Sequence, residues 1–248
     1  VKNLRLFSKN NAGAAYVIGA STLGMVPEGE EKDFAARKFY DADEYYYSYN
    51  TALLVTENDD IQLHHKSRLT PGVEMMPSWW IMRPIKKFAI DLGGTVGTLK
   101  RENKVTLLEH EDYKVAPMIC YESVFGAYVA DFVKKGADLI FVITNDGWWG
   151  DTPGHRQHFE MSKLRAIENR RDVARSANTG ISGFINQRGD VVKRTDYWKA
   201  DALSNTMKAN DKLTFYTKYG DYLYRAASFV ALLVLCFSIV KSVSKKER

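Results

Sequence analysis

The sequence predicts an α/β domain followed by a single transmembrane helix near its C-terminus. Three observations support this prediction. Apolar runs typical of buried strands alternate with helical patterns, residues 114–144 have the strand-helix-strand pattern of a parallel strand pair, and residues 226–240 are uncharged and mostly apolar. The length of 248 residues suffices for one large domain with a substantial core.

Composition restricts the classes of partner. Hydrophobic residues make up 45% and charged residues 26%, and the net charge of +5 is scattered except for basic clusters at residues 165–175 and 241–248. Because this distribution lacks the basic stripe of a nucleic-acid-binding protein, no nucleic acid partner is expected. Two cysteines cannot form a disulfide framework, and Cys236 lies in an apolar run, so Cys120 is expected to be a free thiol.

The first half of the chain is predicted to form a basic helix followed by the strands of a sheet. In order, we predict a helix (1–11), a strand (15–20), a charged surface loop (27–43), a hairpin (45–55 and 61–65), a long loop (69–83) and a short strand (106–111). Lys66 directly follows the hairpin, which places it at the mouth of the sheet.

Cys120 occupies the position around which the rest of the chain is arranged. It follows the apolar strand 115–119 and precedes a helical pattern over residues 124–135, for which Gly136 is the expected stop. A side chain at such an elbow is exposed at the end of the strand and faces a helix N-terminus, whose partial positive charge can lower the pKa of a thiol. This favours Cys120 as a nucleophile. The alternative is a small buried hydrophobic residue.

The second half predicts a strand (138–144), a glycine-rich loop (145–154), a helix (155–176) and a hairpin (181–186 and 191–195). His155 and His158 lie three residues apart, so they could share a helix face as metal ligands. Because no third ligand accompanies them, a surface pair at the loop-to-helix junction is the favoured interpretation, and no metal is expected.

The C-terminal apolar run is long enough to cross a membrane. Counted from Tyr222 to Val240 it has nineteen residues, about 28 Å of helix. Tyr222 and Tyr224 suit a membrane interface, and the basic residues after Val240 match a cytoplasmic flank. We therefore predict a catalytic domain at residues 1–220 outside the cytoplasm, a span at 221–241 and a basic cytoplasmic tail at 242–248. The alternative is a buried core helix.

Four residues could support acyl chemistry: Cys120, Lys66, Glu122 and Glu74. A thiolate that attacks a carbonyl needs a base for its proton and a cation or donor for the oxyanion. Lys66 could supply that cation, and Glu122, two residues after the cysteine, could position or balance it. Each residue also has an ordinary explanation, as a solvated charge or as a cap of a helix.

The order of motifs resembles the nitrilase, or carbon-nitrogen hydrolase, superfamily. The matching segments are His65-Lys66-x-x-Leu69-x-Pro71 with Glu74 and Pro77, Ile119-Cys120-Tyr121-Glu122, and Asn145-Asp146-Gly147-Trp148-Trp149-Gly150 followed by Arg165-Ala166-Ile167-Glu168. The resemblance implies an αββα sandwich and a Glu–Lys–Cys triad. Within the superfamily, Cys-Tyr-Glu, the Trp148-Trp149 loop and the apolar C-terminal helix are most similar to the bacterial apolipoprotein N-acyltransferase family.

That resemblance implies a ping-pong acyl transfer at the periplasmic side of the bacterial inner membrane. Cys120 would take an acyl chain from a phospholipid such as phosphatidylethanolamine, and the diacylglyceryl-cysteine of an apolipoprotein would accept it. Lys66 would stabilise the oxyanion, for which the backbone N–H of Tyr121 is a second candidate donor, while Glu74 and Glu122 match further acidic positions of the site. No cofactor is implied.

Aromatic residues near these motifs are the expected substrate-binding residues. Tyr121 follows the cysteine, Trp148 and Trp149 belong to the loop after a strand, and Trp79 and Trp80 lie in the apolar run 75–82. That run is expected to form either a lipid-facing lip or a segment of the core.

The sequence also departs from the family pattern. The loop usually reads Pro-Phe-Gly-Glu, whereas here it reads Pro71-Gly72-Val73-Glu74. By the resemblance, the first catalytic Glu would precede Val1, so no residue of this chain is assigned as general base. We therefore expect a C-terminal fragment that is inactive and poorly soluble alone. The alternatives are an amidase or nitrilase with water as acceptor, and a membrane-tethered binding domain without activity.

Overall fold

Two stacked β-sheets form the centre of the molecule. The computed structural model describes residues 2–11, 13–58, 60–71, 73–75 and 99–246, with side chains described as far as residue 241. Pro77, Trp79, Trp80 and most of the predicted lip lie outside these residues, so the two interpretations of that run both stand.

The first sheet has four antiparallel strands, and one of them is central and pairs with the other three. Helix α1 (Lys2–Asn10) precedes β1 (Tyr16–Met25), β2 (Arg37–Lys38), β3 (Tyr45–Val55) and β4 (Ile61–His65). Strand β3 pairs with each of the other three. The predicted hairpin is confirmed at its predicted bounds, and the predicted strand at 15–20 continues to Met25.

The second sheet has six strands in the order β10-β9-β8-β7-β6-β5. These are β5 (Leu108–His110), β6 (Tyr113–Ile119), β7 (Leu139–Thr144), β8 (Val173–Ala177), β9 (Gly183–Ile185) and β10 (Val191–Arg194). Strands β6, β7 and β8 are parallel, which confirms the predicted strand-helix-strand unit, and the remaining pairs are antiparallel.

Helices α2 (Gly126–Lys134) and α3 (Gly154–Asn169) pack on the six-stranded sheet. Their apolar side chains share one core with the strands, which includes the fully buried Phe132, Phe159, Met118 and Ile140. The two sheets pack on each other through a smaller cluster that includes Leu54, Leu108, Val115 and Leu139. A Cβ on Gly19 would come within 2.8 Å of Ile143 Cγ2, so glycine permits the close approach of β1 to β7. The predicted α/β fold is confirmed, and this packing supplies one helical layer and both sheet layers of the predicted αββα sandwich.

The predicted helix over residues 155–176 is wrong beyond Asn169. Helix α3 ends at Asn169, Arg170 adopts a left-handed conformation with φ of 51°, and β8 follows. Glycine or asparagine normally marks such a stop, so an arginine there gives no signal in the sequence. Leu164 and Ile167, two apolar residues of α3, are each more than 40% exposed.

The elbow after β6 contains a short 3-10 helix that the sequence did not predict. It runs over Cys120–Val124, and α2 begins only at Gly126. Gly136 follows the end of α2 with φ of 102°, as expected for a helix stop. Cys120 therefore lies one short helix away from the N-terminus of α2, a distance over which a helix dipole has little effect.

Helix α5 (Tyr222–Lys246) follows the short helix α4 (Phe215–Tyr219) and leaves the domain. Its segment Tyr222–Lys241 is long and apolar enough to cross a membrane, about 30 Å, and none of it is buried against the described chain. The alternative of a buried core helix is therefore excluded within the described residues.

Candidate active site

Two strand ends bring Lys66 and Cys120 to the same region. Lys66 follows β4 and its N–H bonds to the carbonyl of Asn50, while Cys120 follows β6 with φ of 51°. Lys66 is fully buried and Cys120 is half-buried. A cavity of about 520 Å³ is lined by Cys120, Glu74 and Asn50.

Glu74 neutralises and orients the Lys66 ammonium. Lys66 Nζ lies 2.6 Å from Glu74 Oε2 and 2.8 Å from Oε1. The carboxylate also accepts hydrogen bonds from the Thr70 N–H at 2.8 Å and from Asn50 Nδ2 at 3.1 Å. Burial opposes ionisation of Glu74, but Lys66 and these donors outweigh it and hold its pKa below the ordinary value. Glu74 is therefore an ionised partner of Lys66.

Glu122 joins the two elbows through their backbones. It is fully buried, and its carboxylate accepts hydrogen bonds from the Ser67 N–H at 2.6 Å and the Ile119 N–H at 2.9 Å. Further bonds come from Tyr128 Oη at 3.1 Å and His64 Nε2 at 3.3 Å. Glu122 thus fixes the residues beside Lys66 and Cys120 relative to each other, and its bonds go to these donors rather than to the Lys66 ammonium.

Replacing Glu122 by glutamine should destabilise the fold by about 3 kcal/mol, because an amide nitrogen would face buried donors in place of a carboxylate oxygen. The free energy of unfolding in urea measures this. Glu109→Gln, an exposed glutamate on β5, is the control and should change stability by no more than about 0.5 kcal/mol. Equal stability of the two variants would show that the Glu122 carboxylate does not hold the elbows.

The position of Cys120 in the sequence predicts that a nearby helix N-terminus lowers the pKa of its thiol, and the structure corrects this. Burial raises its pKa above the ordinary value, although Lys66 and a hydrogen bond to Thr144 act in the opposite direction. The helix N-terminus expected to lower it is separated from Cys120 by the 3-10 helix. Deprotonation of Cys120 therefore needs a base.

A buried network beside Cys120 was missed by sequence reasoning. His158 Nδ1 lies 2.9 Å from Asp146 Oδ1, and Arg175 donates to Asp146 Oδ2 at 2.6 Å. Asp146 follows β7 in the Trp148-Trp149 loop, and its place directly after a buried strand was the available signal. His158 was predicted to be a surface residue with His155, and this is wrong, because both are buried on α3.

The same network bears on metal binding. His155 stacks on Tyr197 with ring centroids 3.8 Å apart and does not converge with His158 on a shared site. Ligand atoms of Cys120, Asp146 and His158 lie within 4.8 Å of one another. However, the Arg175 guanidinium is within hydrogen-bond distance of both Asp146 and His158, so a positive charge already occupies this cluster.

Asp146 should contribute to the loss of stability in acid. Burial opposes its ionisation, but His158, Arg175 and Thr144 outweigh this and lower its pKa from 3.8 to about 2. Because the pKa is lower in the folded state, the stabilisation is complete above about pH 4 and disappears as the pH falls through about 2. Its size is on the order of 2 kcal/mol.

Asp146→Asn should therefore flatten the dependence of the unfolding midpoint on pH between about pH 4 and pH 2. Thermal unfolding followed across this range measures the effect. The matched control is Asp131→Asn, which removes an exposed carboxylate paired with Lys134. An unchanged slope for Asp146→Asn would show that Asp146 does not carry the acid sensitivity.

Three of the predicted aromatic residues, Tyr121, Trp148 and Trp149, lie beside Cys120. Trp148 and Trp149 stack with ring centroids 4.0 Å apart. Together with Tyr121 they line a second cavity of about 130 Å³, whose other walls include Val124 and Met161. Cys120 and Trp148 line both this mainly apolar cavity and the polar cavity of about 520 Å³. The thiol therefore lies where an apolar cavity meets a polar one.

Comparison with known proteins gives a consistent picture. Residues 21–211 match the sequence model of the carbon-nitrogen hydrolase family. The apolipoprotein N-acyltransferase of Chlorobaculum tepidum is 34% identical over 71% of this chain, which covers 34% of that protein. The corresponding protein of Rickettsia bellii is 35% identical over 74% of this chain, covering 36% of its own length. The chain thus spans about a third of the length of these curated relatives.

A solved structure supports the fold. An amidase from Nesterenkonia sp. superposes with a TM-score of 0.54 at 18% identity, and the alignment covers 91% of this chain and 71% of the amidase.

Proposed function

The chain belongs to the carbon-nitrogen hydrolase family, and we propose that it carries the acyl-transfer site of an apolipoprotein N-acyltransferase. The observation that carries this proposal is the position of Cys120 between an apolar and a polar cavity, close to the Lys66–Glu74 pair. The names of the curated relatives support the reaction class. The acyl donor is a phospholipid such as phosphatidylethanolamine, and the acceptor is the N-terminal diacylglyceryl-cysteine of an apolipoprotein.

In the first step, the Cys120 thiolate attacks the carbonyl carbon of a phospholipid ester. The carbonyl oxygen becomes an oxyanion, which the Lys66 ammonium and the Tyr121 N–H stabilise. The C–O bond then breaks, the lysophospholipid oxygen takes up the proton removed from the thiol, and a thioester remains on Cys120. Glu74 keeps Lys66 charged and oriented, while Glu122 holds the two elbows.

The general base for this step lies outside the described residues in our proposal. Carboxylates near Cys120 within the described chain are already engaged: Glu74 with Lys66, Asp146 with Arg175, and Glu122 with backbone donors. Lys66 cannot accept the thiol proton while it is itself protonated.

In the second step, the α-amino group of the acceptor cysteine attacks the thioester carbonyl. The C–S bond breaks, the amine loses a proton, and the Cys120 thiol is restored as an amide forms. Because a thioester is more reactive toward amines than an ester, the covalent intermediate divides a difficult transfer into two easier ones.

The two cavities correspond to the two parts of a lipid substrate. The small apolar cavity with Tyr121, Trp148 and Trp149 receives the carbons of the acyl chain nearest the carbonyl. The polar cavity receives the head group in the first step and the acceptor in the second.

Helix α5 places the site at a membrane in this proposal, with the domain on the periplasmic side. A soluble carrier fused to residues 210–248 should remain in membranes after a carbonate wash, because nothing else in the fusion can span a bilayer. The control replaces Leu232 and Val234 by arginine, which should release the carrier. Release of the unaltered fusion by the carbonate wash would show that α5 does not anchor the protein in a membrane.

The experiment that tests the function supplies the full-length protein with phosphatidylethanolamine carrying a labelled acyl chain and with a synthetic diacylglyceryl lipopeptide. Label should move to the α-amino group of the lipopeptide. A lipopeptide whose amine is acetylated is the control and should stay unlabelled. Release of free fatty acid with no lipopeptide labelled would instead support water as acceptor, which is the amidase or nitrilase alternative.

A further inference from the structure

We propose that His158 is a positioning residue that orients the oxyanion-binding N–H of Tyr121 by holding the carbonyl of Cys120. This inference rests on the proposed thioester at Cys120 and assigns a task to a residue outside the Lys66, Glu74 and Glu122 set. It follows from the hydrogen bonds on one peptide group.

The carbonyl of Cys120 is held by two side chains. His158 Nε2 lies 3.0 Å from Cys120 O, and Ser123 Oγ donates to the same oxygen at 2.9 Å. Nε2 also lies 3.0 Å from Ser123 Oγ. Because Ser123 places its proton on the carbonyl, and a carbonyl oxygen only accepts hydrogen bonds, we assign a proton to Nε2 and treat it as the donor. These bonds fix the peptide between Cys120 and Tyr121 at a residue whose φ of 51° is unfavourable for a side chain with a Cβ.

Holding the carbonyl also fixes the N–H of Tyr121. In a trans peptide the C=O and N–H bonds point in opposite directions, so a carbonyl directed toward α3 turns the N–H away from α3. Tyr121 lies in the first turn of the 3-10 helix, where backbone N–H groups have no partner within the helix. Donation to the carbonyl also polarises the peptide and strengthens its N–H as a donor.

His158 is itself held at its other ring nitrogen. Nδ1 lies 2.9 Å from Asp146 Oδ1 and 3.0 Å from Arg175 NH2. Arg175 is buried and bonded to the carbonyl of Ile181 at 3.1 Å, which connects the ring to the loop after β8. Nδ1 can either donate to Asp146 or accept from Arg175, and in both cases turning the ring would break a hydrogen bond in a buried site.

The nearest alternative is a general base formed by Cys120, His158 and Asp146. A base must present an unprotonated nitrogen to the thiol, whereas Nε2 donates to the carbonyl of the same residue. The two roles differ in what can replace the imidazole. Glutamine places an amide N–H near the position of Nε2 but cannot accept a proton, and asparagine is one methylene shorter and does not reach.

The test uses full-length protein in which every cysteine except Cys120, Cys236 included, is replaced by serine, so that Cys120 is the thiol followed. Acylation of Cys120 is measured as the p-nitrophenolate burst from p-nitrophenyl butyrate. Alkylation by iodoacetamide is measured in parallel, because this displacement forms no oxyanion. His158→Asn should reduce acylation about 10²-fold, as loss of one oxyanion donor does, and leave alkylation within about threefold. His158→Gln should retain acylation within about threefold.

Two further variants distinguish loss of the hydrogen bond that positions the Cys120 carbonyl from general destabilisation of the fold. Ser123→Ala, which removes the second donor to the same carbonyl, should reduce acylation about tenfold with alkylation unchanged. His155→Gln replaces another buried histidine of α3 and should leave both rates unchanged. The proposal is overturned if His158→Gln loses acylation as fully as His158→Asn, or if acylation and alkylation fall together, as expected of a lost base. Acylation of the wild type without transfer to a lipopeptide would instead end the proposed function and leave this comparison valid.

Discussion

Replacing Cys120 by serine should abolish the covalent acyl intermediate and reduce acyl transfer at least about 10⁴-fold, the scale on which loss of a nucleophile acts. The wild-type protein incubated with phosphatidylethanolamine should gain one acyl mass on the peptide that contains Cys120. Hydroxylamine should remove it, as expected for a thioester. The serine hydroxyl is a poor substitute because its pKa is far higher and the described residues around it offer no free base.

Cys236→Ser is the matched control, since Cys236 is an exposed thiol on α5. This variant should retain both the adduct and transfer. An acyl adduct that persists on another residue in Cys120→Ser would mean that Cys120 is not the nucleophile.

Much of the fold follows from apolar runs in the sequence. Strands β3, β4, β6 and β7 were predicted within about two residues, because buried strands require continuous apolar or β-branched residues. The end of α3 was not predictable, since the left-handed residue there is Arg170, and the following strand β8 carries two charged or polar residues in five. One of them, Arg175, is buried only because Asp146 lies opposite.

Part of the candidate site was likewise predictable from the sequence, and part was not. Lys66, Glu74, Cys120 and Glu122 were selected because they recur at strand ends, and the structure brings them together. The pKa of Cys120 and the network of Asp146, His158 and Arg175 depend on burial and on contacts between residues far apart in the chain. Single-sequence patterns contain neither, which is why His158 was predicted to lie on the surface.

The arginines of the basic cluster show again that a sequence pattern does not reveal which charged side chains are buried. The basic cluster at residues 165–175 could have been a solvated surface, but Arg165, Arg171 and Arg175 are all buried. Arg171 donates to the carbonyls of Ala137 and Lys212, and Arg165 to that of Val124. These side chains therefore tie α3 and the strand after it to neighbouring loops.

Lys66→Met should reduce acylation of Cys120 about 10³-fold, because methionine has a similar volume but supplies no cation to the oxyanion. The p-nitrophenolate burst measures this. Lys100→Met is the control, since Lys100 forms a more exposed ion pair with Asp33 and should leave the burst unchanged.

The same substitution should also destabilise the fold, since it leaves the largely buried Glu74 carboxylate without its cation. We expect a loss of about 3–5 kcal/mol at pH 7. In the wild type the pKa of Glu74 is depressed, so the pair stabilises the fold above the ordinary pKa of a glutamate and loses this as the pH falls. The difference in stability between Lys66→Met and the wild type should therefore shrink in acid.

The double variant Lys66→Met/Glu74→Gln separates structure from chemistry. Removing the unpaired charge should restore most of the stability lost in Lys66→Met, because a neutral amide can still bond to the Thr70 N–H and to Asn50. Acylation should stay low, since the oxyanion still lacks its cation. Recovery of acylation together with stability would show that Lys66 acts only by neutralising Glu74. If the Lys66 ammonium contacts the reacting carbonyl oxygen, the double variant must be stable but inactive in acylation.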